Sequence, residues 1–115
     1  MPLTDNQSRE RFRELNDAFR KTLDPRLGRT VRTAGVTALP SDVCSLAIRK
    51  VTTFDDFSAD NDPHGEHDFG SFDLGDDKFF WKIDYYDPTL EFGSDDPADP
   101  AKTTRVLTLM LAEEY

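Results

Sequence analysis

Between residues 60 and 68 the chain reads Asp60-Asn61-Asp62-Pro63-His64-Gly65-Glu66-His67-Asp68, which packs two imidazoles and four carboxylates into nine positions. Imidazole nitrogen and carboxylate oxygen together suit zinc, iron and other divalent ions. The candidate metal ligands are His64, Glu66, His67 and Asp68, with Glu66 as the base if a metal-bound water is to attack a substrate. Spacing alone does not make these groups converge, because His-x-x-His in a loop lacks the facing geometry of two His one turn apart on a helix. The stretch also half-matches a calcium loop, with Asp60, Asp62, His64, Gly65, Glu66 and Asp68 at positions one, three, five, six, seven and nine. Position twelve, however, is Ser71 where a bidentate Glu is needed, and a strand is predicted to follow. The competing reading is an Asp/Asn loop whose side chains satisfy their own backbone, with one His hydrogen-bonded against a sheet. Apart from a divalent metal in this loop, no cofactor is predicted.

Other chemistry is sparse. Asp76-Asp77-Lys78 contains Asp-x-Lys, a fragment that metal-dependent nucleases use, but no Pro-Asp partner stands upstream at a strand end and a solvated hairpin turn accounts for it. There is no Gly-rich phosphate loop, no Gly-x-Ser-x-Gly elbow and no Cys-x-x-Cys pair. The single cysteine, Cys44, can close no intrachain disulfide and has no His nearby in sequence to activate it, so packing is its expected role and a reducing, cytoplasmic setting is expected for the chain. No apolar run reaches the ~18 residues of a membrane span, and the N-terminal residues do not have the build of a secretion signal.

Charge is unevenly spread. The chain carries a net −9, made of +4 over residues 1–53, −13 over residues 54–101 and zero over the remainder. Ten of the thirteen aromatic residues lie within residues 54–92 among the acids, where only Lys78 and Lys82 are basic. Base-stacking platforms need Lys or Arg beside the rings, so direct nucleic-acid binding is disfavoured and a basic protein partner is favoured. The candidate partner contacts are Asp60, Asp62, Asp84, Tyr85, Tyr86 and Asp87. Charge matching between the two halves, within one chain or across a homodimer, is the alternative use of the asymmetry.

These groups must be positioned by a single α+β domain spanning residues 1–115. Phe12, Leu15, Phe19 and Leu23 recur at helical spacing after the capping-box sequence Thr4-Asp5-Asn6-Gln7, and Asp24-Pro25 followed by Gly28 ends that helix. Arg29–Val36 reads as a short strand with a turn or bulge at Gly35. A second helix is predicted from Ser41 as N-cap, with Val43, Leu46, Ala47 and Val51 as its apolar positions. Residues 53–68 read as a long ordered loop docked by Phe54, Phe57 and Phe69. Phe69–Leu74 and Lys78–Asp87 form the predicted hairpin, joined by Gly75-Asp76-Asp77. In its second strand Phe79, Trp81, Ile83 and Tyr85 share one face and Phe80, Lys82, Asp84 and Tyr86 the other, as in a central strand. Thr89–Phe92 is assigned to a short extra strand. Asp99-Pro100 is placed at the start of a C-terminal helix with Thr104, Leu107, Leu111 and Tyr115 as its stripe, although Thr103, Thr104, Val106 and Thr108 also suit a strand. The expected architecture is a small antiparallel sheet around the 69–87 hairpin, packed against two N-terminal helices and a C-terminal helix.

Three segments carry a resemblance: Asn61 to Gly70 (NDPHGEHDFG), Phe80 to Asp87 (FWKIDYYD) and Arg105 to Tyr115 (RVLTLMLAEEY), with the helix-one run Leu15-Asn16-Asp17-Ala18-Phe19-Arg20 ahead of them. Together they resemble a family of small bacterial proteins catalogued as a domain of unknown function. The resemblance brings no catalytic residues to carry over. It implies an address on plasmids and other mobile elements, where small acidic proteins serve as inhibitors or mimics of DNA charge. The functional expectation is a non-enzymatic acidic interaction module acting on a basic partner, with metal binding or metal-dependent hydrolysis by the 60–68 loop as the alternative.

Overall fold

The computed structural model describes residues 3–115. Helix α1 (Asp5–Thr22) starts where the sequence places it: Thr4 Oγ1 accepts from the Gln7 N–H at 3.1 Å and Gln7 Oε1 accepts from the Thr4 N–H at 2.9 Å. It ends at Leu23, whose N–H still reaches the Phe19 carbonyl and whose left-handed backbone (φ 52°) turns the following chain off the helix, and Arg20 and Lys21 sit favourably against the C-terminal end of the helix dipole. The chain then reverses over Asp24-Pro25 into strand β1 (Gly28–Arg32). Gly28 has to be glycine because a Cβ there would stand 2.7 Å from both the Arg105 carbonyl oxygen and the Phe19 ring. Helix and sheet touch at that point.

The strand predicted to run on to Val36 stops at Arg32, and Ala34–Thr37 forms one helical turn, α2. Glu114 causes the stop. Its carboxylate accepts from the Thr33 hydroxyl at 2.6 Å, the Gly35 N–H at 3.0 Å and the Leu111 N–H at 2.9 Å, turning the chain off the sheet and dropping Val36 into the core. Helix α3 (Ser41–Thr52) follows with Pro40, not Ser41, at the cap and with no side-chain cap bond. Its buried positions are Cys44, Ala47 and Val51, while Leu46 is half exposed, so the apolar stripe is rotated from the one predicted. The Cys44 thiol lies 3.0 Å from the Val36 carbonyl, in keeping with a packing role.

Strands β2 (Phe69–Leu74) and β3 (Asp77–Tyr86) make the predicted hairpin on a two-residue turn. Gly75 (φ 63°) occupies the first turn position, where a II′ turn needs positive φ. Strand β4 (Thr104–Leu111) replaces the predicted C-terminal helix, and only single 3-10 turns flank it, at Pro100–Lys102 and Ala112–Glu114. The two periods are hard to separate here, because a four-residue step from Leu107 to Leu111 keeps one face of a helix and also one face of a strand. Burial of Arg105, Leu107, Leu109 and Leu111 follows the strand period. Thr89–Phe92 is not a strand. The Asp87 carboxylate accepts from the Thr89 N–H, the Thr89 hydroxyl and the Glu91 N–H, which curls the chain into a turn, and only Tyr86 and Gly93 bridge.

The sheet is mixed, not wholly antiparallel: its order is β1-β4-β3-β2, with β4 antiparallel to β3 and parallel to β1. On one face, Phe79, Trp81 and Ile83 of β3 and Leu107, Leu109 and Leu111 of β4 pack with Phe19 of α1 and with Cys44, Ala47 and Val51 of α3. Each large side chain so enclosed contributes about 1.5–3 kcal/mol. The opposite face carries Phe80, Lys82, Asp84 and Tyr86 of β3 with Val106, Thr108 and Met110 of β4, as the register requires.

Candidate functional site

The 53–68 segment is an ordered loop held against α1 and the sheet by a polar network that begins with Asn16. This side chain is fully buried. Its Nδ2 donates to the Glu66 carbonyl at 2.9 Å and to the Tyr85 hydroxyl at 2.8 Å, and its Oδ1 accepts from Arg105 Nε at 2.7 Å. The next residue, Asp17, accepts from Arg20 Nη2 at 3.1 Å and is paired with His67 Nδ1 at 2.9 Å. Arg20 Nη1 donates to the Val51 and Phe54 carbonyls, both at 2.9 Å, so one guanidinium joins α1, α3 and the loop. It also lies over the rings of Phe57 and Trp81.

His67 is consumed by this arrangement. Its ring stacks on Phe57 with centroids 3.7 Å apart, its N–H bonds Asp62 Oδ1, and its Nε2 lies 3.6 Å from Asp62 Oδ2. A left-handed backbone (φ 55°) at this non-glycine position is the strain accepted to place the ring there. His64 is exposed on the other side of Gly65. The sequence therefore juxtaposes two imidazoles that the fold separates in role. Among the described residues no group of three or more His, Cys, Asp or Glu side chains stands together as a metal ion would require. Glu66 and Asp68 are partly buried, and desolvation, reinforced by neighbouring carboxylates, pushes both carboxyls above their usual range. Asp68 also extends the sheet, its carbonyl accepting from the Ile83 N–H at 2.8 Å.

The predicted partner contacts divide by strand alternation. Asp84 and Tyr86 share the face of β3 away from the helices, where Asp84 pairs with Lys82 at 2.9 Å, and Asp87 lies just beyond. Tyr85 points the other way, hydrogen-bonded to Asn16 and with the Arg105 guanidinium 5.0 Å over its ring; burial raises its phenol pKa. It is not offered to a partner. Asp62 is turned in toward His67, whereas Asp60 is exposed. On the outer face Tyr115 lies across Phe69 and Phe80.

The charges separate in space as they do in sequence. Exposed Arg29 and Arg32 lie on edge strand β1, and exposed Asp73, Asp76 and Asp77 lie on the hairpin at the other edge, with Asp55, Asp56 and Asp60 on the loop that leads into it. Among the described residues no Lys or Arg of residues 1–53 forms an ion pair with a carboxylate of residues 54–101; Arg11, Arg20 and Arg26 pair with acids of their own neighbourhood. Among those residues, too, no helix is long and apolar enough to cross a membrane.

A profile of DUF3768, described as a protein of unknown function, matches residues 32–114. The chain belongs to this family. The DUF3768 match takes in the 60–68 loop, the hairpin and β4, while α1, including the Leu15–Arg20 run, lies ahead of it. The network that fixes the loop therefore joins DUF3768 residues to Asn16, Asp17 and Arg20 outside the matched range. Neither a curated protein nor a solved structure matches the chain.

Asn16, Arg20 and Arg105 are the network residues that sequence reasoning passes over. Each had a signal: Asn16 and Arg20 fall beside Phe19 on the inward side of α1, and Arg105 alternates with Leu107, Leu109 and Leu111. A polar residue in phase with a buried apolar set is the mark of a buried hydrogen-bonding group.

Proposed function

We propose that this protein is a non-enzymatic acidic interaction module whose acidic sheet edge meets a basic surface on a protein partner. The observation that carries this reading is that, among the described residues, no Lys or Arg of residues 1–53 pairs with a carboxylate of residues 54–101; the one pair across the two is Asp17 with His67. Carboxylates at Asp55, Asp56, Asp60, Asp73, Asp76 and Asp77 are exposed and form no ion pair among the described residues, so their field is directed outward. That disfavours charge matching within the chain as the use of the asymmetry. Proteins that bind nucleic acid carry the complementary surface, and an acidic edge of this kind would compete with a phosphate backbone for it.

The test is affinity capture at low ionic strength with wild type and the triple variant Asp73→Lys, Asp76→Lys, Asp77→Lys, all exposed on the hairpin edge, on parallel columns. A basic protein retained only by wild type, displaced by duplex DNA and released between about 50 and about 300 mM salt, is the expected result. Identical retention on both columns would end the proposal.

A further inference from the structure

Two arginines are buried in this fold, and their charges are met differently. Arg20, 1% exposed, has the Asp17 carboxylate at 3.1 Å. Arg105, 3% exposed, has no ion-pair partner among the described residues; its Nε and Nη2 donate to Asn16 Oδ1 at 2.7 Å and to the Pro97 carbonyl at 2.6 Å, both neutral. The Tyr85 ring face supplies a quadrupole and not an anion. A guanidinium cannot shed its proton to escape burial, and a buried charge without a counter-charge is costly. Desolvation does depress the Arg105 pKa, and the charge of Arg11 acts in the same direction.

Arg105 Nη1 has no acceptor among the described residues, yet it is not one of the sealed unpartnered atoms, which are Arg20 Nε and Trp81 Nε1. Arg105 also lines a cavity of about 290 Å³ between α1, the head of β1 and the approach to β4. Leu15 and Ala18 give it an apolar wall, and Gly28, Arg29, Thr104 and Arg105 a polar one. No Asp or Glu lines it, although the chain carries a net −9. Arg26 also borders it but is held by Asp24 at 2.7 Å, and Arg29, in register with Val106, belongs to the face of the sheet away from α1.

We propose that this cavity binds a small monocarboxylate with a short apolar body, its carboxylate against the Arg105 guanidinium and its body against Leu15 and Ala18. The ligand would be the counter-ion that the fold withholds from Arg105. A monoanion is favoured over a phosphate dianion because the surrounding field of the protein is strongly negative. The volume suits a molecule of roughly benzoate size, at the lower end of small-ligand sites.

Thermal unfolding and amide-resonance titration with sodium benzoate, against sodium chloride and inorganic phosphate at equal ionic strength, test this. Benzoate at about ten times its Kd is expected to raise Tm by about 5 °C over chloride and to shift the Gly28 and Thr104 amides. Ala18→Phe, which fills the cavity from an exposed position, should abolish binding, and it disturbs no buried residue. Equal stabilisation by chloride would overturn the site. Phosphate binding as tightly as benzoate would overturn the ligand class, and unchanged affinity in Ala18→Phe would overturn the location.

Discussion

Replacing Asn16 by alanine is expected to be among the most damaging single polar substitutions in the chain. The side chain is fully enclosed and makes three hydrogen bonds to groups far apart in sequence: the Glu66 carbonyl, the Tyr85 hydroxyl and Arg105 Nε. Removing it strands all three. An orphaned buried donor or acceptor costs about 1–3 kcal/mol, and more when the group is charged. Glu66 and Tyr85 are only partly enclosed and retain some access to water, which puts them at the low end, while Arg105 belongs at the high end. The expected loss is about 3–5 kcal/mol, a large share of the ~5–15 kcal/mol by which domains of this size are stable. Urea unfolding followed by circular dichroism measures it directly, with an unchanged m-value showing that the unfolded state is not responsible. Limited proteolysis should show the 53–68 loop cleaved before the rest, because that loop is what Asn16 and Asp17 hold. A loss under about 1 kcal/mol would refute the reasoning, since it would mean water replaces Asn16 without penalty.

Further outcomes follow from the same geometry. Gly70→Ala should cost about 1–3 kcal/mol, because the added methyl meets the Trp81 indole and the Phe54 ring; a stability equal to wild type in the same urea assay would show that the rings give way freely. Zinc or manganese should leave Tm unchanged, as His67 is committed to Asp17 and Phe57; a rise that His64→Ala removes would restore the metal reading of the loop. Glu66 and Asp68 have folded pKa values above their unfolded ones, so the folded state holds their protons more tightly and their contribution weakens as pH rises through that interval. Glu66→Gln should accordingly be at least as stable as wild type at neutral pH, with the difference closing below the ordinary Glu value in pH-dependent melts. Glu114 runs the other way: hydrogen bonds from the Thr33 hydroxyl and from the Leu111 and Gly35 N–H groups lower its pKa. Its contribution is present above the ordinary value and lost as pH falls through the lowered one, and Glu114→Gln should flatten the acid limb of the same melts.

Much of the fold is legible from local rules. The capping box at Thr4, the four-residue spacing from Leu15 to Phe19 and the alternation from Phe79 to Tyr85 each report the physics of a single element, and α1 and the 69–86 hairpin form on those signals. What is not legible depends on distant partners. Thr33 and Val36 are β-branched and read as strand, but Glu114, far along the chain, bends them into α2. Leu107 and Leu111 serve either period, and only the company of Phe79 and Ile83 makes β4 a strand. The 60–68 loop is the instructive case. Its composition suggests convergence on an ion, yet the groups that organise it are Asn16, Asp17 and Arg20 on a helix some fifty residues away. Composition shows which side chains are available; the direction each points is set by backbone angles such as the positive φ of His67.

The parallel pairing of β1 with β4 also fixes an order of assembly. β4 is the fourth of the described strands in sequence but sits between β1 and β3 in the sheet, so within this sheet β1 has no strand to pair with until β4 is in place. During synthesis the helices and the hairpin can associate early, whereas loop closure between β1 and β4 must bridge more than seventy residues and comes late. The nascent protein thus carries the basic β1 edge unpaired until β4 emerges. Loss of β4 would not trim the sheet at its margin but split it, separating β1 from the hairpin and leaving Arg105's partners, Asn16 among them, without their anchor.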